Sequence, residues 1–264
     1  MWSSCPLCGS SELERLFEYD EPPEGETPVP RPDGVPYRRE LLRCPVCGHL
    51  LNSHSLDLEA LYSGDYMDLT YAGDRLRATY DRIMALPPER SDNVARVARL
   101  GPGNGRTLLD IGSGLGVFPA RMKEAGWTVT ALDPDPRSAE HARSVIGVEA
   151  IEGDFMEVSD LGVFDLVTLN KVLEHVVDPV PMLERAGECL APDGALYLEL
   201  PDGEVAAAMG PGREEFGIEH YHAFSMASMC LLAQRAGLVV RSAERIAEPS
   251  TKVTLYAFLG RVGV

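Results

Sequence analysis

The 264-residue chain sets 24 Lys and Arg against 41 Asp and Glu, a formal net charge of −17, with 45% apolar and 25% charged residues. That composition suffices for an ordinary globular core, and no apolar run approaches the ~18 residues that a membrane span needs. The acidic mean field repels polyanions, so neither a nucleic acid nor a membrane is expected as partner. The first ten residues lack the basic start and apolar run of a secretory signal, which predicts a cytoplasmic protein.

The chain opens on two C-x2-C turns, Cys5-Pro-Leu-Cys8-Gly and Cys44-Pro-Val-Cys47-Gly. Each presents two thiolates, and together they complete a tetrahedral four-sulfur shell for structural zinc. Iron–sulfur ligation is the competing use of four thiolates. His49 and His54 lie nearby and read as surface or supporting residues. Between the turns, the Pro-, Gly- and Glu-rich stretch 18–36 predicts an exposed excursion. The basic run Arg38, Arg39 and Arg43 reads as a solvated strand or loop.

Residues 56–100 turn helical. Leu58, Leu61 and Tyr62 share one face, and Val94, Val97 and Ala98 another. After the punctuating GPGNG at 101–105, strands and helices alternate. Strands are expected at 107–111, 128–133, 148–152, 164–170 and 195–200, with helices over 117–125, 138–145 and 179–190. A helix over 226–236 and two strands close the chain. This pattern predicts an α/β, Rossmann-like, mainly parallel sheet with helices on both faces. The expected units are a zinc-ribbon module at 1–55, a helical substrate-side or lid segment at 56–100, and the α/β core at 101–264.

Ligands of such sheets sit beyond the carboxyl ends of the strands. The first strand ends in Asp110-Ile-Gly112-Ser-Gly114-Leu-Gly116, a G-x-G-x-G turn rather than the G-x-G-x-x-G of dinucleotide enzymes. Asp133 closes the second strand, where a carboxylate can accept both hydroxyls of a ribose. Asp154 and Phe155 follow the third strand, offering a carboxylate for an adenine amino group and a ring beside the base, and Asn170 ends the fourth. Singly, each acid could be a turn former or helix cap. Their joint position at strand ends marks a nucleoside-like ligand.

The segments LLDIGSGLG, ALDPDP, EGDF, FDLVTLNKVLEHVVDP and LAPDGALYLELPD resemble, in order, the motif series of class I S-adenosylmethionine-dependent methyltransferases. The likeness is close from Thr107 to about Asp202. It implies a sheet of order 3-2-1-4-5-7-6 with its last strand antiparallel, and S-adenosylmethionine as cofactor. It places Gly112, Gly114 and Gly116 against the methionine and ribose, Asp133 on the ribose hydroxyls, and Asp154 with Phe155 on the adenine. The signature for methylating nucleobase amino groups is absent, since Asn170 is followed by Lys-Val-Leu.

A zinc ribbon ahead of this core is similar to a bacterial group that tailors sugars and natural products, including deoxysugar C-methyltransferases. LYSGDYMDL (61–69) and IEHYHAFS (218–225) resemble that group's substrate-side motifs. The C-methyltransferases carry a further C-terminal domain and this chain stops at Val264, so O-methylation of a sugar-like or natural-product acceptor is the expected reaction. VLEHV also resembles ubiquinone-pathway O-methyltransferases, where an acidic residue stands in place of Lys171. The alternatives are C-methylation of a sugar-like substrate, a zinc-ribbon rRNA methyltransferase, and a non-catalytic module that kept the cofactor fold.

Transfer to a hydroxyl requires loss of a proton, and imidazole titrates nearest neutrality. His220, beside Glu219, is the expected base, with His175 and His222 in reserve. The likeness to the C-methyltransferases places a Glu–His pair at the same position. Tyr66 is assigned to orienting the acceptor. His141 is expected on a helix face, and Cys189 and Cys230 in the core.

Overall fold

A computed structural model describes residues 2–26, 28, 35–55 and 73–263. Tyr66, the 61–69 motif and the helical face of Leu58, Leu61 and Tyr62 lie outside these residues. Two sheets organise the described residues. The first begins with β1 (Glu14–Tyr19), β2 (Arg39–Arg43) and β3 (Leu50–His54), all antiparallel. Two helices follow, α1 (Arg75–Met84) and α2 (Asp92–Leu100). Ser91 caps α2, its hydroxyl accepting from Val94 N–H at 3.3 Å.

The second sheet starts with β4 (Thr107–Ile111), α3 (Val117–Glu124), β5 (Thr128–Asp133), α4 (Pro136–His141) and β6 (Glu149–Glu152). A wider π turn over Ala142–Ile146 extends α4. It continues through β7 (Phe164–Asn170), α5 (Pro179–Glu188), β8 (Leu190–Pro201) and α6 (Gly203–Met209). The chain then passes through the two-residue β9 (His222–Ala223), which belongs to the first sheet, and α7 (Met226–Arg235), and the second sheet closes with β10 (Leu238–Ala247) and β11 (Val253–Arg261). Strand order is β10-β11-β8-β7-β4-β5-β6, with β4 to β8 parallel and β11 antiparallel to both neighbours. Renumbered from β4, this is the 3-2-1-4-5-7-6 sheet that the sequence predicts.

The helix starts follow from local chemistry. Asp178 and Asp135 cap α5 and α4 ahead of prolines at the first helical position, where the missing N–H costs no bond. Ser225 and Ser228 form a reciprocal capping box on α7. The central strands are buried on both faces: Leu108, Leu109, Val167, Leu196 and Leu198 are 0% exposed. That explains why they read as continuous apolar runs rather than alternating ones.

The N-terminal sheet does not stand apart. β9 pairs antiparallel with β3, through Leu50 with Ala223 and Leu51 with His222, so a strand from the C-terminal half completes it. The four cysteines share one apolar cluster with Phe224, Met229 and Leu232. Two expectations are corrected here. Arg39 is not solvated; it is 1% exposed, pairs with Glu26 at 2.5 Å, and donates to the Phe216 carbonyl at 2.6 Å. His49 is not a surface residue; it is fully buried between Ser228 and His222.

Gly203 sits at this joint, and a Cβ there would fall 2.5 Å from Leu50 Cδ1 and 3.0 Å from Ala223 Cβ. Gly203→Ala should therefore overpack the seam, costing about 1–3 kcal/mol. The expected result is a lower urea midpoint with an unchanged slope, accompanied by faster proteolysis of residues before 55.

Candidate active site

The turn after β4 is built from glycines because the backbone demands it. Gly112, Gly114 and Gly116 have φ of +72°, +51° and +71°, a region side chains avoid. A Cβ on Gly112 would lie 2.8 Å from Val172 Cγ2, and one on Gly116 would lie 2.2 Å from Ile146 Cδ1. The π turn after α4 brings Ile146 against that loop.

Asp133, 6% exposed, ends β5 facing the turn. Its Oδ2 accepts from Gly114 N–H at 2.7 Å and its Oδ1 from Asp135 N–H at 2.9 Å. Each carboxylate oxygen has a second lone pair for a ligand hydroxyl. Burial raises its pKa, opposed by those two N–H donors. Asp154 is exposed and folds its Oδ1 back onto Met156 N–H at 2.8 Å. Phe155 is 2% exposed and packs in the core beneath the Arg185 guanidinium, 5.3 Å from the ring centre.

Asp110 lies deeper. Its Oδ1 accepts from the Thr168 hydroxyl at 2.6 Å and from Asn170 Nδ2 at 3.0 Å. Burial pushes its carboxyl up to about 7 against these donors, with Arg96 favouring and Asp133 opposing ionisation. Asn170 turns its Oδ1 inward, buried and without a hydrogen-bond partner among the described residues. Two carboxylates, an orphaned acceptor and a close-approach backbone suit a ligand with a ribose and a cationic amino-acid end.

The remaining polar groups gather around the loop after β7. Lys171 adopts φ of +60°, and its ammonium donates to Thr254 Oγ1 at 2.5 Å. Burial lowers its pKa although Glu199 and Glu174 draw it upward. Glu174 is 1% exposed, and its Oε2 has no hydrogen-bond partner among the described residues. The rings of His175 and His220 meet edge to face at 4.7 Å. Donor atoms of Glu174, His175 and His220 lie within 4.8 Å of one another, a spacing suited to passing a proton or seating a cation.

The tautomer of His220 follows from its neighbour. Nδ1 lies 3.0 Å from the Glu215 carbonyl, which can only accept, so Nδ1 carries the proton and Nε2 the lone pair. Burial, and then His175, lower its pKa, so neutral imidazole is favoured. His175 Nδ1 makes the same kind of bond to the Glu219 carbonyl at 3.1 Å. His222 is placed differently. Its Nδ1 meets His49 Nε2 at 3.1 Å, its Nε2 meets the Val177 carbonyl at 3.2 Å, and burial lowers its pKa to about 4. Both of its nitrogens are thus occupied in a buried chain running to Ser228.

Sequence reasoning overlooked Glu174, although it stands next to His175 in VLEHV. It also overlooked Glu199, fully buried on β8, which accepts from Arg96 at 2.5 Å, Arg99 at 2.7 Å and the Tyr197 hydroxyl at 2.5 Å. Burial opposes ionisation of Glu199, but Arg96, Lys171 and Tyr197 hold its carboxyl below the usual range. No local pattern announces that network, because the two arginines lie about 100 residues before Glu199.

The four cysteines form a separate centre. Cys5 and Cys47 sulfurs are 3.6 Å apart, those of Cys8 and Cys44 3.4 Å, and all four lie within 4.8 Å. A tetrahedral zinc with bonds of about 2.3 Å needs sulfurs about 3.8 Å apart. Gly9 N–H donates to the Cys5 carbonyl and Gly48 N–H to the Cys44 carbonyl, so the two turns fold alike. The residues present fit the metal.

Known proteins agree with this architecture. The profile of the methyltransferase-domain family matches residues 80–243. The cypemycin N-terminal methyltransferase of a Streptomyces species is 32% identical over 142 residues, 51% of this chain and 58% of that protein. A ubiquinone biosynthesis O-methyltransferase of Xanthomonas campestris pv. campestris is 36% identical over 132 residues, 47% and 54% of the two chains. The chain thus spans little more than half the length of these curated relatives. Among solved structures, the 1,6-didemethyltoxoflavin-N1-methyltransferase of Burkholderia thailandensis, with bound S-adenosylhomocysteine, superposes with a TM-score of 0.57 at 21% identity. That match covers 84% of this chain and 96% of the other.

Asp110 supplies a measurable consequence. Its carboxyl is neutral below about 7 and charged above, and a cationic ligand favours the charged form. Affinity for S-adenosylmethionine should rise several-fold between about pH 6 and about pH 8. Calorimetry across that range should find the slope flattened in Asp110→Asn.

Proposed function

Since the chain belongs to the S-adenosylmethionine-dependent methyltransferases, we propose that it methylates a hydroxyl of a sugar-like or natural-product small molecule, with His220 as general base. The observation that carries this reading is the fixed tautomer of His220, whose Nδ1 is committed to the Glu215 carbonyl and whose Nε2 keeps a lone pair. Bound S-adenosylmethionine supplies an electrophilic methyl group on a sulfonium.

The chain's own part is to hold and to deprotonate. The Gly112–Gly116 turn and Asp133 seat the ribose, Asp154 flanks the adenine while the Phe155 ring, expected beside the base, backs that turn from the core, and Asp110 with Asn170 faces the cationic end. His220 Nε2 takes the acceptor's hydroxyl proton as the acceptor oxygen gains the methyl group, whose bond to sulfur breaks with its electron pair left on the departing S-adenosylhomocysteine. Glu174, buried with an unpartnered oxygen, stabilises the resulting imidazolium from nearby. Glu219 supplies the carbonyl that fixes His175. His222 belongs to the buried chain that joins β9 to the N-terminal sheet. Tyr66 is retained as a candidate for orienting the acceptor. Both hydroxyl- and amine-methylating enzymes occur among the relatives, so the acceptor panel should contain both groups.

The test is His220→Ala, with cofactor affinity measured beside turnover by S-adenosylhomocysteine release. Turnover should fall by about 10²-fold or more while affinity stays within about twofold. Turnover within a few-fold of the parent removes His220 from the base role.

Structural zinc at Cys5, Cys8, Cys44 and Cys47 belongs to the same reading. A closed four-sulfur shell leaves no open position, so the metal would act as a cross-link and contribute folding energy to the N-terminal sheet. Metal analysis of chelator-free protein should give about one zinc per chain, and Cys44→Ser should loosen residues before 55 more than the α/β core. Substoichiometric zinc would refute the assignment.

A further inference from the structure

We propose that Asn52, on β3 of the N-terminal sheet, is a positioning residue that holds His220 in place across the seam between the two sheets. This rests on the reading of His220 as the base.

Asn52 is 4% exposed, and each of its polar groups is engaged. Its Nδ2 donates to the Gly217 carbonyl at 3.0 Å and to the His220 carbonyl at 2.5 Å. Its backbone N–H donates to the Tyr221 carbonyl at 3.1 Å. Its Oδ1 accepts from Arg39 at 2.8 Å, and its backbone carbonyl accepts from Trp2 Nε1 at 2.7 Å. The orientation of the amide is unambiguous. A guanidinium can only donate and a carbonyl can only accept, so Oδ1 must face Arg39 and Nδ2 the loop.

The same grip extends to both sides. Arg39 Nη1 also donates to the Phe216 carbonyl at 2.6 Å, while Glu26 at 2.5 Å and the Tyr37 hydroxyl at 2.9 Å hold the guanidinium. On the crevice side, Tyr221 N–H donates to the Glu174 carbonyl at 2.7 Å and His220 N–H to the Gly217 carbonyl at 3.0 Å. Residues 217–221 contain no helix and pair with no strand of the large sheet. Donors from a segment about 168 positions earlier therefore hold one side of this loop, opposite the bonds it makes to Glu174 and His175. A displacement of about 1 Å in a reacting group can cost about 10²-fold in rate, so a side chain that never touches the acceptor can control turnover.

Two variants test this. Asn52→Leu leaves the His220 carbonyl without its donor and the Gly217 carbonyl with His220 N–H alone, and Asn52→Asp keeps the shape while turning a carboxylate oxygen toward both. Both should lower kcat by about 10-fold or more, with affinity for S-adenosylmethionine within about twofold. Measuring both keeps the test valid if the leucine variant fails to fold. In a His220→Ala background the Asn52 substitution should change kcat by less than about twofold, because the residue acts through His220. The ¹⁵N resonances of the His220 imidazole at fixed pH should move in Asn52→Asp while those of His141 stay.

A folded variant that keeps kcat and the His220 resonances of the parent overturns the proposal. So do losses that simply multiply in the double variant. If His220→Ala alone leaves turnover intact, the base reading fails separately, and the imidazole resonances still decide whether Asn52 positions the ring.

Discussion

Buried backbone carbonyls must find donors, and around the crevice the regular sheet does not supply them. The loop that carries Phe216 to Tyr221 is mostly shielded from water, and the carbonyls of Phe216, His220 and Tyr221 take their donors from the N-terminal sheet. Arg39 and Asn52 meet that need from the N-terminal sheet, and the short β9 completes the contact. The cysteine turns, the excursion carrying Glu26 and Tyr37, and the crevice are for this reason mechanically one unit. The β3–β9 pairing, the Ser225 hydroxyl donating to the Cys47 carbonyl at 2.6 Å, and the Arg235 guanidinium bound to the Pro6 and Leu7 carbonyls all cross the same seam.

Desolvation organises the chemistry of the site. It pushes the Asp110 carboxyl up to about 7, raises Glu174 and lowers His220, so each group favours its neutral form. Glu199 escapes because Arg96 and Lys171 surround it. Side by side there lie a carboxyl raised to about 7, an imidazole that favours its neutral form, and a carboxylate whose ionised form its cationic neighbours favour. Groups with such different roles arise from one cause, the exclusion of water, modulated by which partners each side chain reaches.

The parts legible in the sequence are those that the chain writes locally. The Gly112–Gly116 turn needs three residues with positive φ, and only glycine adopts that cheaply, so G-x-G-x-G announces itself. Buried parallel strands write continuous apolar runs, and Ser91, Asp178 and Ser225 mark helix starts. What stayed hidden is non-local. Arg39 sits in a run of basic residues that looks like a wet strand edge, and only the fold reveals the carboxylate of Glu26 and the carbonyl of Phe216 beside it. His49 follows the second cysteine turn and reads as surface, yet β9 and α7 bury it. Glu199 lies in an apolar strand, and its two arginines come from a helix about 100 residues earlier.

The β3–β9 pairing has a bearing on how the protein is made. β3 emerges from the ribosome about 170 residues ahead of β9, as the 168-residue separation of Asn52 and His220 indicates. At typical elongation rates that interval is roughly 10–30 s. Throughout it the nascent N-terminal sheet has an unpaired edge and an uncovered apolar face where Phe224 and Met229 will later pack. Metal capture by the cysteine turns during synthesis would order this segment before its partner strand exists. A metal held there at that stage would have a task distinct from stabilising the finished fold, that of keeping an early-made edge from pairing with the wrong chain.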